Sequence, residues 1–259
     1  MSLNPPIRDW SGRRVWLVGA STGIGAALAQ QLAQRGARLI LSARNAPRLQ
    51  AFADSVPGSV AVAFDVSVAE QWAAASAAAR AAFGGIDVLI LNAGTYTPMR
   101  AWELSRPAAL AQVRATFETN LMGVYSGLAA CLPEFLARGS GHLLIVASVA
   151  GYGGLPRALC YGPSKAALIN LAESLYLDLA AKGIGVSIVN PGFVATPLTA
   201  QNDFAMPALM SAEAAAGRIV QGMAAGRFEI HFPRRFSWFL KCLQCLPRGL
   251  YFRIVGKVA

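Results

Sequence analysis

What most restricts the fold of this chain is an alternation. Seven short runs rich in Val, Ile and Leu, at 13–18, 38–42, 60–64, 87–92, 142–147, 185–190 and 227–232, recur along the sequence. Between most of them lie Ala-rich stretches of helical length, at 24–35, 69–83, 107–138, 164–182 and 212–225. Strands that read as near-continuous apolar runs are buried on both faces, which requires helices above and below a parallel sheet. Right-handed crossovers then leave a doubly wound α/β fold with a seven-stranded parallel sheet as the simplest topology. No repeat and no Pro/Gly/Ser linker divides the 259 residues, so one domain over 1–259 is expected. Ligands of such sheets gather at the carboxyl ends of the strands.

Composition supports a large core. Hydrophobic residues make up 55% of the chain and charged residues 14%, well below the roughly 25% of an average domain, which excludes a disordered chain. The first dozen residues hold no apolar targeting core, and no stretch approaches the roughly 20 apolar residues that cross a bilayer. A cytoplasmic protein is therefore expected. The net charge is +10, but it is unevenly placed: from Arg227 onward, seven Lys or Arg face Glu229 alone. Cys242 and Cys245 form a single CxxC. With no second pair and apolar surroundings, they read as buried structural thiols, and no metal site is expected.

Directly after the first predicted strand comes Gly19-Ala20-Ser21-Thr22-Gly23-Ile24-Gly25, opening onto an apolar helix. Gly19 suits a tight turn, Gly23 a close backbone approach to a pyrophosphate, and Gly25 close packing of helix on strand, with the helix N-terminus facing the anion. This is the pattern of a Rossmann-type dinucleotide site. The second strand ends Leu41-Ser42-Ala43-Arg44-Asn45. A ribose 2′-hydroxyl would call for a carboxylate there, whereas Arg44 suits a 2′-phosphate, so NADP(H) is preferred over NAD(H). Further along, Tyr161-Gly162-Pro163-Ser164-Lys165 begins a long apolar-periodic helix. Residues four apart share a helix face, so a phenol and an ammonium can point into one site. A nearby cation can lower the phenol pKa toward neutrality, which makes Tyr161 a candidate general acid/base.

With these residues in order, the chain resembles the short-chain dehydrogenase/reductase family over nearly its whole length. The resemblance rests on GxxxGxG, on Asn92-Ala93-Gly94 after the fourth strand, on Asn120 in the following helix, on Ser148, and on the YxxxK of Tyr161 and Lys165. It implies that Tyr161 is the acid/base and that Ser148 hydrogen-bonds the reacting oxygen. Lys165 would lower the tyrosine pKa and hold the nicotinamide ribose, and Asn120 would hold a relay water. By the same resemblance Asp65 and Val66 lie beside adenine, and Pro191, Gly192, Val194 and Thr196 approach the carboxamide side of the nicotinamide. A homodimer or homotetramer is implied too. Val18 and Leu91 stand where the family often has threonine and asparagine, which puts sheet-edge hydrogen bonds in question.

The implied activity is hydride transfer between nicotinamide and a lipophilic carbonyl or secondary alcohol. The alternative is a catalytically silent NADP(H) sensor on the same fold, which fold alone does not distinguish. Substrate would sit under a segment at 198–210 rich in Leu, Met and Phe, opposite Thr95, Tyr96, Met99 and Leu155. No nucleic-acid motif accompanies the basic excess, so no nucleic acid is expected as partner. Aromatic and basic residues interleave in 227–259. That segment either lies on an anionic membrane surface, making the protein peripheral to it, or packs on the protein as an ordinary terminal segment.

Overall fold

The computed structural model describes residues 2–200 and 206–256. Seven strands, β1 (Arg14–Val18), β2 (Arg38–Ser42), β3 (Ser59–Ala61), β4 (Val88–Leu91), β5 (Gly141–Val146), β6 (Ile184–Pro191) and β7 (Glu229–Phe232), form one sheet in the order β3-β2-β1-β4-β5-β6-β7. Every neighbouring pair is parallel. Side chains of a strand alternate between faces, and β1 shows the result: Val15 and Leu17 enter one core, Trp16 and Val18 the other. On the first face lie α1 (Gly23–Ala33), α2 (Ala46–Asp54) and α7 (Ala212–Ala224). On the second lie α3 (Gln71–Phe83), α5 (Gly123–Arg138) and α6 (Tyr161–Leu179). Each strand is thus covered twice, as its apolar composition demands.

The sheet order turns back on itself between β1 and β4. Successive chain crossovers run to opposite edges from that point, and the loops leaving the two strands splay apart to open a crevice. Both loops carry the motifs singled out in the sequence. Val18 and Leu91 lie in register in β1 and β4, and Asn92 N donates to Val18 O at 2.9 Å. Backbone pairing is intact across the two positions that depart from the family pattern.

The elements differ from the sequence reading in three places. The helix predicted over 107–138 is three pieces: α4 (Ala109–Phe117), a wider π-turn (Glu118–Met122) and α5. Such turns accompany functional side chains, and here the turn carries Asn120 inward, fully buried. The segment after β2 forms α2, a nine-residue helix in which Asn45 caps the Arg48 N–H at 3.0 Å and Pro47 stands in the first turn. The C-terminal segment, read only as aromatic and basic, folds into α8 (Arg234–Gln244) and α9 (Arg248–Val255).

Candidate active site

A cavity of about 400 Å³ runs along the carboxyl ends of β1, β4, β5 and β6. The end beside the glycine turn is built by close backbone packing. Gly19 and Gly23 adopt φ of +91° and +55°, conformations that side-chain-bearing residues seldom enter. A Cβ on Gly19 would stand 2.5 Å from Ala93 N, and one on Gly25 would stand 2.0 Å from Gly19 O. Asn92 Nδ2 donates to Gly19 O at 2.6 Å, tying the two loops of the crevice together. Across the cleft, a Cβ on Gly23 would meet Thr196 Cγ2 at 2.8 Å. Thr22, at the N-cap of α1, makes no side-chain cap, so the first amides of this helix remain available to an anion.

Most residues that the sequence assigned to the cofactor line this cavity. They are Gly19, Ser21, Thr22, Gly23, Ile24, Arg44, Asn45, Val66, Asn92, Ala93, Gly94, Pro191, Gly192, Val194 and Thr196. Gly25 acts from behind, by letting α1 approach β1. Asp65 is not in the lining. Its carboxylate accepts from Ser67 N at 2.9 Å and from Ser67 Oγ at 2.7 Å, while the adjacent Phe64 and Val66 face the cavity. Those two are held by a cluster of Trp16, Phe64 and Trp72, with ring centroids 4.8 to 6.1 Å apart. Trp72 Nε1 donates to Val66 O at 3.0 Å.

Sequence reasoning missed Arg48, which lines the cavity alongside Arg44. The signal was there in Asn45-Ala46-Pro47, a helix start that would have placed Arg48 one turn from Arg44.

At the other end of the cavity stand Ser148, Tyr161 and Lys165. Ser148 follows β5 and caps the short turn Val149–Gly151, accepting from Ala150 N at 3.1 Å. Tyr161 and Lys165 occupy the first turns of α6. Lys165 Nζ lies 5.6 Å from the Tyr161 ring centroid and donates to Val146 O at 3.0 Å. Tyr96 packs edge-on against Tyr161, with centroids 5.0 Å apart.

Burial acts most strongly on the phenol. Burial pushes Tyr161 up to about 12, opposed by hydrogen bonding with Ser148 and reinforced by Tyr96. The same burial brings the Lys165 ammonium down to about 8. A low-dielectric pocket disfavours either charge, so at neutral pH the phenol keeps its proton.

Asn120 is absent from the lining. Its Oδ1 accepts from Thr95 N at 2.7 Å, and its Nδ2 donates to Thr95 O and to Ser164 Oγ, each at 3.0 Å. Both amide hydrogens are committed, so Asn120 fastens the loop after β4 to α6.

The apolar wall differs from expectation in part. Leu198 lines the cavity, and residues 201–205 of the expected lid lie outside the described residues. Met210 is clasped to the loop after β6, accepting from Ala195 N at 2.8 Å and donating to Phe193 O at 3.0 Å. Met99 is fully buried in a separate cluster with Ala109 and Cys160, so it belongs to packing. Leu155 and Tyr152 pack with Phe236 and Leu240 of α8, bringing the C-terminal helices beside the loop that bears Ser148. Cys242 and Cys245 are exposed, and the buried thiols are Cys131 and Cys160. The apolar neighbours of the CxxC cover only the inward arc of α8. Among the described residues, no cluster of His, Cys, Asp or Glu suits a metal ion.

Known proteins match this arrangement. The family model for short chain dehydrogenase covers residues 13–207. An uncharacterized oxidoreductase of Myxococcus xanthus is 35% identical over 251 residues, 94% of this chain and 96% of that protein. Ketoacyl reductase HetN of a Nostoc species is 32% identical over 77% of this chain and 70% of that protein. Among solved structures, a short chain dehydrogenase/reductase from Burkholderia phymatum in complex with NAD superposes with a TM-score of 0.83 at 26% identity, covering 92% and 95% of the two chains. L-Sorbose reductase from Gluconobacter frateurii, complexed with NADPH and L-sorbose, gives 0.76 at 26% identity, covering 89% and 97%. The chain belongs to the short-chain dehydrogenase family.

Proposed function

We propose that this protein is an NADP(H)-dependent oxidoreductase that interconverts a lipophilic carbonyl compound and its secondary alcohol, with Tyr161 as general acid/base. The observation that carries the reading is one continuous cavity with a glycine turn and two arginines at one end and Ser148, Tyr161 and Lys165 at the other. The residues fit a dinucleotide. Backbone is exposed where a Cβ on Gly19 or Gly23 would collide with the opposite loop, and the first amides of α1 face the pyrophosphate position. Arg44 and Arg48 supply the bidentate donors that suit a 2′-phosphate. Lys165 and Asn92 would hold the nicotinamide ribose, and Pro191 to Thr196 the carboxamide side.

When bound, the nicotinamide supplies or accepts the hydride. The chain's own part is the oxygen. Reduction builds negative charge on the carbonyl oxygen, so Ser148 Oγ donates a hydrogen bond to it and Tyr161 Oη delivers the proton. A buried phenol that keeps its proton at neutral pH is in the form this direction requires. Lys165, whose ammonium already donates to Val146 O, stabilises the phenolate left behind. In the reverse direction the same phenolate takes the alcohol proton. Leu198 in the cavity lining favours a lipophilic substituent on the substrate.

The test is a panel of ketones and aldehydes scored by NADPH consumption, with Tyr161→Phe assayed in parallel. The variant keeps the ring and removes the proton donor, so turnover is expected to fall by about 10²-fold or more. Equal turnover by the two proteins would refute the assignment. Tight NADPH binding without consumption of any substrate would favour the sensor.

A further inference from the structure

We propose that the outward arc of α8 and α9 is a docking surface for an anionic lipid membrane. The two helices are firmly part of the fold. Leu240 and Leu243 of α8 and Tyr251 and Val255 of α9 share one buried cluster with Val149. Tyr251 Oη donates to Gly154 O at 2.7 Å, and Lys241 pairs with Glu229 of β7. This inner seam leaves the opposite arc of each helix to solvent.

On that arc the large apolar side chains are not hidden. Trp238 is 53% exposed, Phe239 52%, Leu250 46% and Phe252 64%. Trp238 is also braced from behind, edge-on to His231 at 5.6 Å and beneath Lys241 Nζ at 5.3 Å, so its ring projects as a fixed wedge. Arg234, Arg235, Arg248 and Arg253 are exposed on the same two helices. No acidic residue follows Glu229 in the sequence, and no carboxylate pairs with these four arginines among the described residues.

Charge chooses the occupant. A second copy of the chain, meeting this patch about a two-fold axis, would set arginines against arginines with no acid to separate them. Anionic headgroups neutralise the guanidinium groups while the rings and leucine enter the acyl boundary, the arrangement of a helix lying flat in the interface. An eleven-residue α8 is suited to lie there, and no helix of the described residues is long and apolar enough to cross. The proposal is independent of the reaction, because none of these side chains lines the catalytic cavity.

Co-sedimentation of the full chain with phosphatidylcholine vesicles, with and without phosphatidylglycerol, tests it. Binding is expected to the phosphatidylglycerol vesicles only, and to weaken as salt rises. The double variant Trp238→Ser/Phe239→Ser and the charge reversal Arg234→Glu/Arg235→Glu should each reduce binding by at least about tenfold. All four positions are exposed, so both proteins should keep the parent circular dichroism. If one pair misfolds, Phe252→Ser takes its place. No sedimentation with anionic vesicles at low salt overturns the proposal. So does sedimentation that none of these variants alters, or capture of a labelled RNA oligomer through the same residues when anionic vesicles do not bind.

Discussion

Arg44, just past the end of β2, lines the cavity, and in the proposed function it carries the choice between two cofactors. A charge-assisted hydrogen bond of this kind is worth about 1.5–3 kcal/mol. Arg44→Asp should therefore raise the KM for NADPH by roughly 10- to 100-fold, with little change for NADH. Steady-state kinetics with both cofactors decide it, and equal changes would reject the role. Single residues were legible where their chemistry is exacting. Tyr161 and Lys165 need one helix face, Ser148 needs a strand end, and all three line the cavity. Met99 is buried away from the cavity, and Asp65 and Asn120 bond to neighbouring segments outside its lining. Position along the chain shows that a residue sits near a strand end, but only the packed fold decides whether its side chain faces the cleft or a neighbour such as Ser67 or Thr95.

Among the elements, α1 depends on a contact that tolerates no side chain. A Cβ on Gly25 would sit 2.0 Å from Gly19 O and 2.7 Å from Asn92 Nδ2. Gly25→Ala must push α1 off the β1–β4 crevice, and is expected to cost about 1–3 kcal/mol or more. Gly249, near the start of α9, has nothing within 4 Å of its Cβ position. Gly249→Ala should leave stability unchanged or raise it by up to about 1 kcal/mol. Urea unfolding of the two variants separates these outcomes, and similar midpoints would contradict the packing argument. The principal strands and helices were visible because each combines a period with a length. Three helices were not recognised. α2 is short and marked mainly by its Asn and Pro, and in α8 and α9 aromatic rings stand on the exposed arc as well as the buried one. The break at 118–122 was invisible because the apolar pattern continues through it, whereas the π-turn accommodates a buried carboxamide.

For the molecule as a whole, the doubly wound parallel sheet followed from alternation and crossover handedness, but no local pattern announced how its last strands are secured. Asn4 Nδ2 donates to Val186 O at 2.7 Å and to Ser187 Oγ at 3.3 Å, and Asn4 Oδ1 accepts from Val186 N at 3.0 Å. Ser187 Oγ reaches Arg227 O at 2.8 Å and His142 Nε2 at 2.9 Å. This buried cluster joins the N-terminal segment to β5, β6 and the approach to β7. Burial, with Arg13 adding to it, brings the His142 imidazole down to about 4 from its ordinary 6.5. A lowered pKa means that the unfolded chain takes up the proton first. The stability due to neutral His142 is therefore full above pH 6.5 and lost as pH falls through about 4. Urea midpoints measured from pH 7 to 4 should decline, and His142→Gln should flatten that decline. An identical decline in the variant would show that other groups set the acid sensitivity.

The same cluster bears on the order of assembly. During synthesis Asn4 emerges long before Val186 and Arg227, so its hydrogen bonds stay unmade while five strands are already available to pair. Residues made early thus close a late seam. Such distant contacts slow folding, and they give a nascent chain no finished sheet until its seventh strand has left the ribosome.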